Sequence, residues 1–296
     1  MSKLPTQRSV IFILIMPELP EVETIRRDLN KELKGRKILR LKFYDWGKML
    51  QPSPEVVKKA VEGKKIKDFG RRAKLLLMHL DDHGSTIAIH LKLSGQLFIR
   101  KHTDNPDRFT HVILELDRGE ELRFNDLRKF GYMKLIENKE QLEKILSEFG
   151  PEPLTSEFTF EKFKEIVSKS SRSVKIVIMD QQKIAGVGNI YADEALWIAK
   201  IHPEYPANKL TENKLKELYE AVQSVIKQGI DDRGTSVDSY YDARGKKGKH
   251  DQNLKVFRQD EKPCPRCGTI IKKIRVGGRG THFCPQCQNQ KGVNSI

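Results

Sequence analysis

The sequence contains few cysteines, and none of them lies in its first 263 residues. All four fall between residues 264 and 287 of a 296-residue chain, so no disulfide framework can staple the body of the protein. This usage predicts a reducing, intracellular compartment and a cytoplasmic protein. The longest apolar run near the start, residues 10–16, has seven residues, which is too short to cross a bilayer. The sequence therefore excludes a disulfide-rich secreted domain and a membrane-spanning segment at the start of the chain.

Acidic residues are scarce relative to basic ones, with 40 Asp and Glu against 55 Lys and Arg. The imbalance is concentrated near the C-terminus, where residues 244–296 carry +10 and residues 1–243 only +5. A basic region of this kind suits a polyanion, either nucleic acid or an anionic membrane surface. A solvated basic tail is the alternative, but the Cys and Gly spacing there favours a folded unit.

The first sixteen residues do not match the rest of the chain. Lys3 and Arg8 before an apolar run imitate a signal peptide, but no small-residue cleavage site follows. A short apolar strand is a second interpretation. We favour a third, in which residues 1–16 are a removed or non-native extension and the functional chain begins at Pro17.

The spacing of apolar residues predicts an α+β multidomain protein. Val22, Ile25, Leu29 and Leu33 form the stripe of a first helix, which Gly35 ends. Eight short runs typical of strands follow, and their number predicts a β-sandwich or barrel. These runs are residues 38–44, 65–69, 74–80, 86–91, 96–100, 112–116, 121–124 and 132–136.

Beyond a Gly-Pro-Glu-Pro linker at residues 150–153, the apolar spacing becomes helical. Four stripes predict helices, at residues 160–167, 176–180, 190–199 and 215–226. Gly229 is predicted to end the last helix, because glycine commonly stands just past a helix C-terminus. Residues 243–253 are rich in Gly and Lys and predict a mobile basic loop.

These changes of pattern predict three domains after the extension. They are a β-sandwich with an N-terminal helix, a helical domain and a small Cys-containing unit, at residues 17–149, 150–252 and 253–290.

The Cys-containing unit carries the strongest single motif. Its two Cys-x2-Cys pairs are Cys264 with Cys267 and Cys284 with Cys287. Four thiolates close a tetrahedral site around one Zn²⁺ and leave no open position, so the metal is predicted to be structural. Four free thiols are the alternative. Between the pairs, residues 272–280 predict a hairpin whose glycine-rich tip carries Arg279, a guanidinium suited to a phosphate; a solvated tip is the alternative.

Two further motifs are weaker when taken singly. Two glycines at residues 186–188 precede Asn189, which is predicted to cap the next helix and to leave N–H groups free for an anion; packing alone is the alternative. At a free N-terminus, Pro17 is a secondary amine with a pKa near ~7.7–8.0. Its attack on a sugar carbon forms a permanently cationic iminium, and Glu18 beside it can act as a general acid. A plain helix start is the alternative.

Together, these motifs resemble the formamidopyrimidine-DNA glycosylase family. The resemblance spans residues 17–288, and its motifs occur in the family's order at residues 17–24, 71–74, 90–91, 126–131, 186–192 and 278–284. It implies a bifunctional repair enzyme that removes oxidised purines (8-oxoguanine, formamidopyrimidines) and cuts the strand at the abasic site by β,δ-elimination. It also implies an N-terminal β-sandwich, a helix–two-turn–helix domain and a zinc-finger hairpin, with double-stranded DNA in the cleft.

The resemblance also implies roles for individual residues. Pro17 would be the nucleophile at the sugar C1′, and Glu18 would protonate the ring oxygen. Phosphate contacts are implied for Lys74, His90, Lys175, Asn189 and Arg279. Leu93, Arg128 and Phe130 would fill the hole left by a flipped base, and residues 235–253 would close over that base.

Three of these residues have strong structural alternatives. Lys74 could be an edge-strand lysine, His90 a satisfied core histidine and Lys175 a solvated lysine.

The sequence departs from the family pattern in four places. Leu93 replaces a usual Met, and Lys129 replaces a common second Arg. Residues 256–258 (Val-Phe-Arg) replace a usual Tyr-Gly pair, so the family pattern does not predict the turn at these residues. The fourth departure is the segment before Pro17. If it is retained, the proline nitrogen is an amide without a usable lone pair, and catalysis by this route is impossible.

The sequence leaves two other functions possible. The sister glycosylase type prefers oxidised pyrimidines; Leu19 and the pair of Arg128 and Phe130 favour the purine type. A chain that keeps its extension would instead be a non-catalytic zinc-ribbon DNA-binding protein. In either case the protein is predicted to be a monomer whose partner is DNA and not a membrane.

Overall fold

The computed structural model describes residues 16–44, 47–82, 84–236 and 240–289, so the predicted extension lies outside the described residues except for Met16. The helices are α1 (Leu19–Leu33), α2 (Pro54–Val61), α3 (Lys139–Leu146), α4 (Phe160–Ser168), α5 (Val174–Met179), α6 (Asn189–Ile198) and α7 (Glu212–Asp231). The strands are β1 (Ile38–Phe43), β2 (Leu50–Gln51), β3 (Ile66–Arg72), β4 (Leu75–Leu80), β5 (Thr86–His90), β6 (Gly95–Lys101), β7 (Thr110–Leu116), β8 (Glu120–Asp126), β9 (Tyr132–Ile136), β10 (Lys272–Val276) and β11 (Arg279–Phe283).

The strands β1 to β9 form two sheets around one core, which confirms the predicted β-sandwich. One sheet has the order β1-β7-β8-β6 and the other β2-β9-β5-β4-β3. Apolar side chains from both sheets pack into a single cluster with the inner face of α1. Each of the eight predicted runs overlaps a strand. The sequence reasoning missed β2, which has two residues, and the short helices α2 and α3.

Helix α1 joins the sandwich to the helical region. Its predicted stripe of Val22, Ile25, Leu29 and Leu33 lies in the sandwich core. Its first residue, Leu19, packs instead with the apolar side chains of α4 to α7. The residues that immediately precede α1 are therefore held between the two regions.

The four predicted helical stripes correspond to α4, α5, α6 and α7. The prediction that Gly229 ends the last helix is wrong, because α7 continues to Asp231. A Cβ at position 229 would lie 2.5 Å from the ring of Tyr191, so this glycine permits close packing of α7 on α6. The chain leaves the helix at Gly234, whose φ of +84° suits glycine.

Residues 240–253 connect the two regions by hydrogen bonds and ion pairs. Ala243 accepts a hydrogen bond from Ile99 of β6 at 2.8 Å, and Arg244 pairs with Glu32 of α1 at 2.6 Å. At the other end, His250 and Asn253 both contact the carboxylate of Asp232 at 2.8 Å. The described part of this loop is therefore bound to β6 and α1 on one side and to Asp232, just after α7, on the other. The predicted mobility of the loop stays a prediction.

The predicted hairpin is present as β10 and β11. Gly277 and Gly278 form its two-residue turn with φ of +55° and +78°, the combination that a tight hairpin of this type requires. Arg279 is the first residue after the turn and pairs with Val276. The glycine-rich tip is therefore explained by the backbone geometry of the turn.

Candidate active site and zinc site

A cavity of about 390 Å³ opens where the sandwich, the helical region and the hairpin meet. Six of the predicted site residues line it: Glu18, Lys74, His90, Leu93, Asn189 and Arg279. Met16 also lines it, and Pro17 between Met16 and Glu18 is buried. The fold thus gathers residues that are up to 261 positions apart in the sequence.

Glu18 is the acid among the residues that line the cavity, and its surroundings change its pKa strongly. It is 2% exposed, and burial raises its pKa to about 7, opposed by the charge of Lys74. Its Oε1 accepts a hydrogen bond from the backbone of Ile190 at 2.9 Å. Its Oε2 is buried and has no hydrogen-bond partner among the described residues. A carboxyl group with these properties can carry a transferable proton near neutral pH.

The glycine turn before α6 leaves the space that the Glu18 side chain occupies. A Cβ at Gly188 would lie 2.3–2.6 Å from the Glu18 carboxyl group, so only glycine fits there. The prediction that Asn189 caps α6 is wrong. Gly188 is the N-cap residue and Asn189 the first residue of the helix. The carboxyl group of Glu18 accepts a free N–H at this helix start instead, which stabilises the negative form of the acid.

The backbone of Glu18 is held by a second buried acid, Glu21. Its Oε2 accepts the Glu18 N–H at 2.9 Å. Its Oε1 accepts the Tyr191 hydroxyl and the Thr235 N–H, both at 2.8 Å. Sequence reasoning missed this role of Glu21, although an acid three residues after a helix N-cap is a known signal.

Lys74 lies in the tight turn between β3 and β4, so the alternative of an edge-strand lysine is wrong. Ala73 in that turn has φ +52°, and its N–H is bound by the carboxylate of Glu152 at 2.6 Å. Glu152 also pairs with Arg71 at 2.7 Å. Burial lowers the pKa of Lys74, with Arg279 acting in the same direction and Glu18 against it. The linker acid therefore fixes the turn that carries the lysine.

His90 ends β5 at the cavity, where it is half-buried, so it is not an enclosed core histidine. Burial and the charges of Lys92 and Lys74 lower its pKa to about 3. Its Nδ1 lies 3.0 Å from the Lys92 N–H, which donates to it. The neutral ring therefore carries its proton on Nε2, and that nitrogen is a hydrogen-bond donor at neutral pH.

Leu93, Arg128 and Phe130 lie on two neighbouring loops. Ser94, beside Leu93, hydrogen-bonds to Asp126 and accepts the Arg128 N–H at 3.0 Å. The Arg128 guanidinium lies 5.0 Å from the centre of the Phe130 ring, which is 54% exposed. An exposed aromatic and guanidinium on short, tied loops suit contact with a partner. Sequence reasoning missed Asp126, which joins the loops.

Arg279 is exposed at the start of β11. The adjacent Gly280 carbonyl accepts a hydrogen bond from Asn189 Nδ2 at 3.0 Å, which ties the hairpin to the start of α6. One amide proton of Asn189 is used in this way and its second remains a donor. Lys273 and Arg258 line the same cavity and were missed, although the paired lysines at residues 272–273 were a visible signal.

Lys175 is 1% exposed, so the alternative of a solvated lysine is wrong. Its Nζ lies 2.6 Å from Asp193 of α6 and donates to Thr281 of β11 at 2.6 Å. Asp193 also accepts the His282 N–H at 2.8 Å. The ammonium thus joins the helical region to the hairpin, and its phosphate contact stays a prediction.

The four cysteines converge as the zinc prediction requires. Their Sγ atoms all lie within 4.8 Å of one another, and three of the pairs are 3.4–4.0 Å apart. Zn–S bonds of about 2.3 Å impose a separation of ~3.8 Å in a tetrahedron. The indole N–H of Trp197 on α6 points at Cys264 Sγ at 3.4 Å, an outer contact that orients the ligand. This is a structural zinc site with four thiolate ligands.

The segment that leads into the zinc finger is held by one acid. The buried carboxylate of Glu194 accepts three successive N–H groups, those of Lys255, Val256 and Phe257, at 2.8–2.9 Å. Arg258 follows with φ +55°. The departure from the family's Tyr-Gly pair therefore keeps a left-handed turn, which arginine adopts at a cost that glycine avoids.

Among the described residues, no helix combines the length and the apolar character needed to cross a membrane.

Comparisons with known proteins agree over most of the chain. Residues 16–133 match the formamidopyrimidine-DNA glycosylase N-terminal domain, residues 149–240 the H2TH domain of the same enzymes, and residues 261–290 the zinc finger found in FPG and IleRS. The formamidopyrimidine-DNA glycosylase of Herpetosiphon aurantiacus is 44% identical over 274 residues, which cover 92% of this chain and all of the relative.

Solved structures give the same result. A complex of Lactococcus lactis Fpg with DNA containing an abasic site has a TM-score of 0.88 and 36% identity, over 92% of this chain and all of that one. A complex of the same wild-type enzyme with DNA containing an oxidised pyrimidine has a TM-score of 0.86 at the same identity and coverage. This chain belongs to the formamidopyrimidine-DNA glycosylase family of base-excision repair enzymes.

Proposed function

We propose that this enzyme removes oxidised purines, including 8-oxoguanine and formamidopyrimidines, from double-stranded DNA and then cuts the strand at the abasic site. The observation that carries the proposal is the placement of Pro17 and Glu18. The proline is buried beside an acid whose pKa is raised to about 7, at a cavity lined by Lys74 and Arg279. In a chain that begins at Pro17, this is a secondary amine next to a proton donor.

The chemistry follows from that pair. The Pro17 nitrogen attacks C1′ of the damaged nucleotide, the C1′–base bond breaks, and Glu18 delivers a proton to the ring oxygen as the sugar opens. The resulting iminium withdraws electrons and acidifies the C2′ proton. Loss of that proton expels the 3′ phosphate, and a second elimination expels the 5′ phosphate. These steps constitute β,δ-elimination through a Schiff base.

The remaining cavity residues hold the DNA backbone in this proposal. Lys74 and Arg279 supply charge, and His90 Nε2 and the second amide proton of Asn189 supply neutral donors. A sharp kink at the lesion follows if these groups grip the phosphates flanking it. Lys175 holds the hairpin against α6 through Asp193 and Thr281, and its contact with a phosphate is a further part of the proposal.

The residues on the two loops that Asp126 joins keep the damaged nucleotide flipped out of the duplex in this proposal. Flipping a nucleotide costs a few kcal/mol, and Leu93, Arg128 and Phe130 fill the vacated space. Phe130 wedges a base step, and the donors of Arg128 match the acceptors of an unpaired cytosine. Leu93 has a bulk similar to the family's Met, so little loss is expected. Residues 235–253, of which residues 237–239 lie outside the described part of the chain, close over the extruded base. The enzyme acts as a monomer, in the cytoplasm.

A second candidate substrate is DNA with oxidised pyrimidines. It is favoured by one observation, namely that the Lactococcus lactis enzyme forms a complex with such DNA. Single-turnover excision from a panel of purine and pyrimidine lesions distinguishes the two. Faster excision of 8-oxoguanine and formamidopyrimidines is expected, and a consistent preference for pyrimidine lesions would replace this assignment.

The test of the reaction is borohydride trapping. A chain that begins at Pro17 should form a covalent adduct with lesion DNA, because borohydride reduces the iminium. A chain that begins at Met1 should form none, and Pro17→Gly should be trapped less well. Equal trapping of the Met1 chain would refute Pro17 as the nucleophile. An untrappable Pro17 chain that still bound DNA would favour the non-catalytic zinc-ribbon alternative.

A further inference from the structure

The cavity carries a cation that the proposed reaction does not use. Four cationic side chains line it (Lys74, Arg258, Lys273 and Arg279), together with one carboxyl group, that of Glu18. Arg258 differs from the others in its backbone. Its φ of +55° is a conformation that residues with a Cβ adopt at a cost in free energy. Such strain persists only where the surroundings enforce it, and it clusters at functional sites.

The surroundings of Arg258 do enforce its position. The three preceding N–H groups are bound by Glu194, a carboxylate that is 4% exposed. Phe257 is 2% exposed, and its ring lies 5.1 Å from that of His282 in an edge-on arrangement. The chain therefore arrives at position 258 with its backbone direction fixed. The left-handed residue then turns toward the cavity.

We infer that Arg258 is a DNA-backbone contact that grips a phosphate from the finger side of the cavity. The inference rests on the proposed function, since it needs DNA in this cavity. Phe257 has no hydroxyl to offer an anion, so the guanidinium of its neighbour is the polar group that this turn contributes. Arginine suits the task because its planar fork binds phosphate oxygens in pairs.

The chain offers a matched control for the test. Arg118 is also an arginine with a left-handed backbone, at φ +60°. It is exposed in the turn between β7 and β8 and does not line the cavity. Replacing either arginine by glycine removes one positive charge and the same kind of backbone strain. Arg258→Gly and Arg118→Gly are therefore matched in charge and in backbone conformation, and they differ in whether the lost charge lies at the cavity.

The measurement is the affinity for a duplex with an uncleavable abasic-site analogue at several salt concentrations. Arg258→Gly should bind roughly tenfold more weakly, as expected for loss of a charge-assisted contact. The slope of log K against log salt should become shallower by about 0.9. Arg118→Gly should match the parent in both quantities, and Arg258→Lys should keep the parent's slope.

Stability separates this role from a purely structural one. Glycine relieves the left-handed strain, so the melting temperature of Arg258→Gly should be no lower than that of the parent. Weaker binding without a loss of stability identifies a contact with DNA. If Arg258→Gly and Arg118→Gly bind alike, or if the slope is unchanged, the inference is wrong. A parent that does not prefer the abasic-analogue duplex over undamaged DNA refutes the proposed function instead.

Discussion

The two walls of the cavity differ in burial, and the difference corresponds to two kinds of work. On the wall formed by α1 and the β3–β4 turn, burial raises the pKa of Glu18 and lowers that of Lys74. On the hairpin wall, Lys273 and Arg279 are exposed to solvent. Desolvation shifts the proton equilibrium of a buried group, whereas exposed cations are accessible to a polyanion. The first wall therefore carries the proton donor Glu18 beside the phosphate contact proposed for Lys74, whereas the second wall is suited to holding a polyanion.

The largest expected effect breaks the first wall. Glu18→Gln keeps the shape of the side chain and removes its transferable proton, so excision should slow by about 10²–10⁴ while lesion-DNA affinity stays nearly normal. Single-turnover excision and equilibrium binding measure the two quantities. Strand cutting at a preformed abasic site should partly survive. Glu55→Gln, a change at an exposed acid of α2 that does not line the cavity, is the control. A parallel loss of affinity and rate would show that Glu18 mainly binds DNA.

The next effect removes the second wall as a unit. Cys284→Ser takes away one of four thiolates, and the finger should lose its zinc and its fold together. Because the hairpin then no longer presents Lys273 and Arg279, DNA affinity should fall by roughly 100-fold, about tenfold for each charge-assisted contact. Zinc content and affinity are measured on the same sample. Normal affinity after stoichiometric zinc loss would mean that the finger does not place these cations.

A single change on the same wall has a smaller effect. Arg279→Ala should weaken binding to all DNA sequences by roughly tenfold and reduce the salt slope by about 0.9. Excision at saturating enzyme should fall less than it does for Glu18→Gln. Arg275→Ala, an exposed arginine of the same hairpin that does not line the cavity, is the control. Normal binding with a defect confined to the chemical step would reverse the assignment.

The smallest expected effect is a pH dependence of excision that comes from Glu18 on the first wall. Glu18 is a donor only when protonated, and its pKa is raised to about 7, so the ratio of the parent's excision rate to that of Glu18→Gln should fall as pH rises through 7. The ratio is the quantity to measure, because the Pro17 amine must lose its proton to attack and raises both rates over the same pH range. The protonated fraction drops about fivefold between pH 7 and pH 8 for a pKa of that value. Single-turnover rates across this range measure the decline. A ratio that stays constant across this range would assign the titration to a group other than Glu18.

Much of the architecture could be predicted because it follows local rules. The strands of the sandwich show short apolar runs between turns, and α4 to α7 show apolar stripes with helical spacing. The helices α2 and α3 escaped prediction because α3 buries none of its residues and α2 buries only Val57 and Val61, so neither has a full apolar stripe. The strand β2 has two residues, which is too few for a pattern. Gly229 was misassigned because a glycine that admits the ring of Tyr191 and one that ends a helix look the same in sequence.

The candidate site was predictable in its residue types more than in its geometry. Glu18, Lys74, Asn189 and Arg279 were named from motifs, and they line one cavity. The cap of α6 was misassigned to Asn189, because the group that serves it lies 172 positions from its donor. Lys175 carried no sequence signal for burial, since its partners Asp193 and Thr281 are also distant in the chain.

The sequence by itself determined what local chemistry dictates. The four cysteines require a closed thiolate site at their spacing, and the glycine pair of the hairpin requires a two-residue turn. Tertiary structure alone decided the properties that depend on distant groups. The raised pKa of Glu18 arises from burial between α1 and α6, the fixed turn of Lys74 from Glu152, and the position of Arg258 from Glu194. Desolvation and long-range hydrogen bonds exist only once the chain has folded.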